Sequence, residues 1–235
     1  MFAANRSRPA AGLGQGGFTL VELAVVLVVI GLIIGAVTIG RDLQRNASYQ
    51  QVSASFVQAW RVAYEAYVDG QGIVPGDNPL SPTGQVNQGS EPLCGEALMN
   101  EFLAAGIQLP AGRAEGQHDR YVYQDSNGNP QQVEVCFGHV DWADPGSSLG
   151  VYQTGGRNVM RLEGLTPALA ELIDRQVDGR VNARFGRFRE SSLADSTDST
   201  TEAWSLDERF GAGQSIVGGR EHQVAVLTAY FAMPR

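Results

Sequence analysis

From Leu23 to Gly40 no residue carries a charge, and the 23-residue stretch from Phe18 to Gly40 (FTLVELAVVLVVIGLIIGAVTIG) holds one ionisable side chain, Glu22. As a helix rising about 1.5 Å per residue, that stretch reaches roughly 34 Å, enough to cross a bilayer core. Arg6 and Arg8 precede it and predict a cytoplasmic N-terminus. A removable secretory signal would end in small residues of an A-x-A-like pattern. Here Arg41, Asp42 and Leu43 follow instead, so the apolar run is expected to remain as an anchor.

Glu22 is the anomaly in this anchor. An ionised carboxylate in hydrocarbon costs on the order of several kcal/mol unless it has a partner or lies at the membrane edge among the headgroups. Its context decides between the two. Gly16-Gly17-Phe18-Thr19-Leu20-Val21-Glu22, followed by an apolar helix, resembles the cleavage and methylation motif of type IV prepilins. The resemblance is tight from residue 16 to about 40 and loose to about 69. It implies a leader, residues 1–17, that a prepilin peptidase removes by cutting between Gly17 and Phe18, and N-methylation of the new terminus at Phe18. It further implies that Glu22 pairs with the terminal amine of a neighbouring subunit during assembly. A cationic amine is the partner a buried carboxylate requires, and a misplaced subunit would leave both charges unpaired, so the pair would set axial register. Gly31 and Gly35 form a G-x-x-x-G pattern that permits close helix approach, although glycine is common in membrane helices generally; Gly40 follows on.

The periodicity continues beyond the anchor. Leu43, Ala47, Val52, Phe56, Ala59, Trp60, Ala63 and Tyr67 recur at steps of three to five and give one apolar stripe, so 41–69 reads as an amphipathic continuation of the 18–40 helix. Gly70 and Gly72 close it, and Pro75 follows. The stretch YVDGQGIVPGDN, Tyr67 to Asn78, resembles the loop after this helix in prepilin-like proteins. Residues 70–93 are rich in Gly, Pro, Asn and Ser and read as loop. Residues 95–105 suit a short helix closed by Gly106. Tyr121–Tyr123 and Val133–Phe137 read as strands around an Asn-Gly turn between Asp125 and Pro130. Thr166-Pro167 opens a helix that Gly179 closes. Residues 191–202 form a polar loop, and 222–233 a final strand. Leu165 to Gly179 also resembles a segment of larger prepilin-like proteins in which a helix leads into an acidic Asp-Gly turn and then a strand. The helix, Asp174 and Asp178-Gly179 carry that match, which favours a minor or unusual pilin over a small major one.

Composition limits the remaining chemistry. The chain of 235 residues carries 25 acidic side chains against 17 basic ones, all arginine. An acidic chain is a poor general binder of nucleic acid, and the lack of lysine excludes pilins cross-linked through lysine side chains. Cys94 and Cys136 read as one disulfide if the head is exported, or as two buried thiols otherwise. As zinc ligands with His118 and His139 they make a weak set, since only two cysteines exist and the Cys136-x-x-His139 pair stands alone. Asp125, Asn127 and Asn129 alternate like the start of a calcium loop, but Pro130 stands where an EF-hand needs glycine, so a hairpin turn is the better reading. Asp195, Asp198 and Glu202 could ligate calcium, as acidic loops do in some pseudopilins, or form a solvated loop. Arg175, Arg180, Arg184, Arg187 and Arg189, with Phe185 and Phe188 interleaved, form a basic cluster. It could meet DNA, or pair with Asp174, Asp178 and Glu190. No G-x-S-x-G, H-E-x-x-H or P-loop occurs, so an enzyme is not expected.

The expectation is an α+β, pilin-like chain: a long N-terminal helix packed on an antiparallel β-sheet head spanning 70–235, with no cofactor unless calcium. The resemblance implies a structural subunit, first a minor pilin of a type IV pilus. The alternatives are a type II secretion pseudopilin and a tip-located adhesive or DNA-binding pilin. Its implied partners are other pilin subunits, the peptidase that also methylates, and an inner-membrane assembly platform. The precursor would sit in the inner membrane, and the mature form would face the periplasm or the exterior in a filament.

Overall fold

The computed structural model describes residues 19–112, 117–125, 127–204 and 226–234. Internal contacts divide the chain after Leu43 into two units. The described part of the first is helical: α1 runs from Leu20 to Gln51 and crosses the division. Between Leu20 and Val37 its large apolar side chains are all exposed, and this segment is long and apolar enough to cross a membrane.

The second unit holds the head. There α1 passes into a π-helical segment, Val52–Val57, and then α2, Gln58–Gln71. A π-turn carries one more residue than an α-turn, and here Val52 with Ser53 and Phe56 with Val57 are all buried. The buried stripe reads Tyr49, Val52, Phe56, Trp60, Ala63, Tyr64 and Tyr67. It differs from the sequence pattern at its start, because Leu43 and Ala47 are exposed and the core begins only at Tyr49. Gly72 ends α2 in the left-handed region (φ 72°), its N–H donating to the Val68 carbonyl at 2.8 Å; an L side chain would be strained there.

Helix α3, Gly95–Ala104, and helix α4, Pro167–Asp178, follow the sequence signals closely. The Thr166 hydroxyl caps α4 by accepting from the Leu169 N–H, and Gly179 closes it at φ 77°. Among the described residues five antiparallel strands form one sheet in the order β1-β2-β3-β5-β4. They are β1 (Arg120–Gln124), β2 (Pro130–Pro145), β3 (Tyr152–Leu165), β4 (Phe188–Glu190) and β5 (Leu227–Ala232). The final strand is thus shorter than the sequence suggested, and 222–225 lie outside the described residues. The long β2–β3 hairpin was not visible in the pattern. Gly138, His139, Asp141 and Asp144 interrupt alternation in β2, and Gly155-Gly156 interrupt β3. A Cβ on Gly156 would stand 2.3 Å from the His139 imidazole, so that ring occupies the space the glycine leaves.

Aromatic rings fill the space between helix and sheet. Trp60 meets Phe102 edge-on at 5.5 Å, Phe102 stacks on Phe137 at 5.7 Å, and Tyr64 lies 5.0 Å from Phe137; such pairs add to plain area burial. Cys94, just before α3, is joined to Cys136 in β2. Next to it Leu93 and Phe137 exchange backbone hydrogen bonds of 2.7 and 3.0 Å. The bond closes a chain segment with a sequence separation of 42, a length for which restricting the unfolded chain contributes about 4 kcal/mol before losses. Replacing both cysteines by serine is expected to cost about 2–4 kcal/mol of head stability. Urea unfolding of the detergent-solubilised protein, followed by tryptophan fluorescence, measures this.

Candidate functional site

The helix start is organised by two side chains. Thr19 precedes α1, and both its backbone N–H and its hydroxyl donate to Glu22 Oε2 at 2.8 Å. The Glu22 N–H returns a bond to Thr19 Oγ1 at 3.2 Å, and the Leu23 N–H donates to the Thr19 carbonyl at 3.1 Å to begin the helical ladder. This is a capping box, in which the cap residue and the acid three positions on satisfy each other's free groups. The T-x-x-E signal stood in the sequence, but reading Glu22 only as an isolated acid missed it. The two bonds converge on Oε2, and Oε1 takes none from a described residue. An ammonium group could approach it without dismantling the cap. Gly17 and Phe18, the expected cleavage and methylation positions, lie outside the described residues. Further along, among the described residues nothing lies within 4 Å of where a Cβ would stand on Gly31 or Gly35, as a close helix contact requires.

Residues 13–38 match the family model described as the prokaryotic N-terminal methylation motif, the signature of type IV prepilin-like proteins. The N-terminus thus carries the prepilin-type methylation signature. No curated protein and no solved structure matches the chain.

In the head the five-arginine cluster does not form one patch. Arg175, Arg180 and Arg187 are exposed, whereas Arg184 and Arg189 are buried. Arg184 pairs with Asp198 at 3.0 Å and Glu202 at 3.4 Å and donates to the Thr200 hydroxyl at 2.9 Å. Two of the three calcium candidates are therefore counter-ions of a buried guanidinium, and Asp195 is simply exposed. Among the described residues no three His, Cys, Asp or Glu side chains converge as a metal site. Arg189 donates to the Ala143 and Ala194 carbonyls at 2.8 and 3.2 Å and lies 4.1 Å from the centre of the Trp142 ring. Burial pushes its pKa down to about 10, which leaves it charged at neutral pH and suited to the ring face. The Arg187 guanidinium stands 5.4 Å from the Phe231 ring.

The other sequence candidates have structural partners. The cysteines are bonded to each other and so are not zinc ligands. His118 Nδ1 is 2.9 Å from the Pro110 carbonyl, and His139 Nδ1 is 2.8 Å from Asn158 Oδ1. Asp125 accepts the Asn127 and Asn129 N–H groups at 2.9 Å each, which makes the hairpin turn rather than a calcium loop.

The sequence had singled out Asp174 and Asp178 as points of resemblance and as ion-pair partners for the arginine cluster. In the structure they fasten the segment after α4 to that helix. Asp178 accepts the N–H groups of Arg187 and Phe188 at 2.9 Å, and Gly186 (φ 97°) passes so close that an added Cβ would lie 2.3 Å from Asp178 Oδ2. Asp174 is fully buried; its Oδ2 accepts the Asn182 N–H at 2.7 Å and the Trp204 indole N–H at 3.1 Å. Burial raises its pKa to about 6 against the opposing pull of those two donors, with Asp178 and Glu171 adding repulsion.

A pKa raised on folding contributes stability that is full below the unfolded value, near 4, and is lost as pH rises through about 6. Ionisation at neutral pH therefore weakens the fastening by on the order of 1–3 kcal/mol. Asp174→Asn keeps an oxygen for both donors and cannot ionise. The variant is expected to exceed the parent in stability at pH 7–8 and to converge with it near pH 4, measured by urea unfolding across that range.

Proposed function

We propose that the chain is a minor subunit of a type IV pilus. In this reading residues 1–17 are a leader removed between Gly17 and Phe18, 18–40 form the anchor and later the filament core, 41–69 continue that helix, and 70–235 form the head. Phe18 becomes N-methylated, and Glu22 pairs with the Phe18 amine of an adjacent subunit. The observation that carries the reading is the methylation motif at 13–38 running directly into an exposed apolar helix of membrane-spanning length. The motif itself supports processing by a prepilin peptidase and assembly with other pilin-type subunits. The apolar helix fits an inner-membrane precursor.

The role is structural: the chain works by assembly, and its partners are subunits, the peptidase that also methylates, and the inner-membrane platform that extracts the anchor. A type II secretion pseudopilin shares every one of these N-terminal features. The acidic loop that would point to a calcium-holding pseudopilin has two of its acids paired with Arg184, which supports the pilus reading. A DNA-binding tip subunit draws little support from an arginine cluster in which Arg184 and Arg189 are buried.

Intact-mass measurement of the membrane-extracted protein from a host with the prepilin peptidase is expected to give a chain beginning at methylated Phe18. A full-length mass, or one lacking the apolar run, would count against the proposal. Glu22→Ala is expected to leave cleavage intact and to reduce incorporation into filaments severely, read by immunoblot of sheared filaments against membranes. Unimpaired incorporation would remove the role given to Glu22.

A further inference from the structure

The head holds a cavity of about 550 Å³ bordered by the end of α2, the loop that follows it, and strands β2 and β3. Every residue that lines it belongs to the unit from Gln44 onward. One wall is arranged by Asn158, which is buried. Its Oδ1 accepts the Val86 N–H at 3.0 Å and its Nδ2 donates to the Gly84 carbonyl at 2.8 Å, so the carboxamide can face only one way. His139 Nδ1 lies 2.8 Å from that same oxygen, and must therefore carry a proton and donate it. In the neutral ring the lone pair is then on Nε2. Nε2 has no hydrogen-bond partner among the described residues. Gly156 makes room for it, since a Cβ there would collide with that edge of the ring. An acceptor is thus held in a fixed place on the cavity wall.

The rest of the lining says what the acceptor would meet. It contains one carboxylate, Asp77, and no arginine. The Asp77 carboxylate is already engaged: it accepts the N–H groups of Asn78 at 2.8 Å, Thr83 at 2.9 Å and Gly84 at 2.7 Å, and the Thr83 hydroxyl at 2.9 Å. It shapes the loop and leaves little for a cation, while an anion would find no counter-charge. Gln85 is half-buried, and its carboxamide makes no hydrogen bond among the described residues, so it offers a donor and an acceptor. Val68, Ile73 and Pro82 add apolar surface. This set suits an uncharged molecule that carries several hydroxyl groups on a C–H framework. One hydroxyl donates to His139 Nε2, another meets Gln85, and the C–H groups lie on the apolar side chains. A peptide strand would need a run of free backbone groups. Of β3 only Gly156 and Asn158 line the cavity, and the Asn158 carbonyl is taken by the Met233 N–H at 2.9 Å.

We propose that this cavity binds a neutral carbohydrate, one or two sugar units of a glycan. Its volume lies within the range of about 300–1,000 Å³ usual for small-molecule sites. The inference stands on the head alone and does not rest on the assignment to a pilus. It gives the head a recognition task in addition to assembly.

The test uses the full chain, solubilised in a detergent without a sugar headgroup, and titrates lactose, maltose and diacetylchitobiose by saturation-transfer NMR. At least one is expected to bind with a Kd on the order of 1 mM or tighter. Gln85→Ala and His139→Phe are each expected to weaken that binding about 10-fold, the effect of one hydrogen bond lost. The Gln85→Ala variant is expected to unfold in urea at the parent's midpoint, which separates a lost contact from lost folding. Binding of none of the three sugars, unchanged affinity in either variant, or binding confined to the anionic sugar glucuronate would each overturn the proposal. An alanine tetrapeptide that binds where the three sugars do not would overturn it in favour of a strand-like partner.

Discussion

The constraint that organises this molecule is the exposed apolar surface between Leu20 and Val37. Water cannot be its permanent surroundings, since an uninterrupted apolar surface of that size drives association. Two environments satisfy it: the hydrocarbon of a bilayer and a bundle of like helices. A chain that is to move between them needs a head that folds independently of either. The division after Leu43 and the start of the buried stripe at Tyr49 fit that requirement, because the aromatic core does not draw on the anchor.

Within the head, stability is distributed over three fastenings of different chemistry. Rings from α2, α3 and β2 meet around Trp60, Phe102 and Phe137. The Cys94–Cys136 bond holds the entry to α3 against the sheet. The third is polar: Asp174 and Asp178 at the end of α4, with Arg184 and Arg189 beyond them, secure a segment poor in regular structure. Charges buried in this way are costly unless each finds its partners. Arg184 and Arg189 both do, through carboxylates in one case and carbonyl oxygens with an indole face in the other.

Local signals were legible where one residue type has one conformational use. Thr166-Pro167 and Gly179 bracketed α4, Gly72 ended α2, and the Asp125 turn joined β1 to β2, all from the sequence alone. The cysteine pair left two readings open, a disulfide or two buried thiols, and the structure forms the disulfide. The β2–β3 hairpin was not legible, because its strands carry glycines and charges whose place is decided by tertiary packing, as with His139 over Gly156. The π-segment likewise leaves no mark in a pattern of apolar spacings. The arginine cluster was misleading as a patch, since proximity in sequence between 175 and 189 does not say which side chains turn inward. At the N-terminus the family motif was plain, whereas the reciprocal bonding of Thr19 and Glu22 went unnoticed behind the more conspicuous acid.

Strand β5 has a position that matters for how the head is made. Among the described residues it comes after the other four strands in the sequence, yet in the sheet it lies between β3 and β4, and there β4 pairs only with it. A chain emerging from the ribosome or across a membrane in N-to-C order therefore carries an open groove in its sheet until Leu227–Ala232 arrives. For that interval the edges of β3 and β4 are bare, and holding factors or neighbouring chains compete for them. Closure of the sheet thus waits for Leu227–Ala232, the last of the described strands to be made.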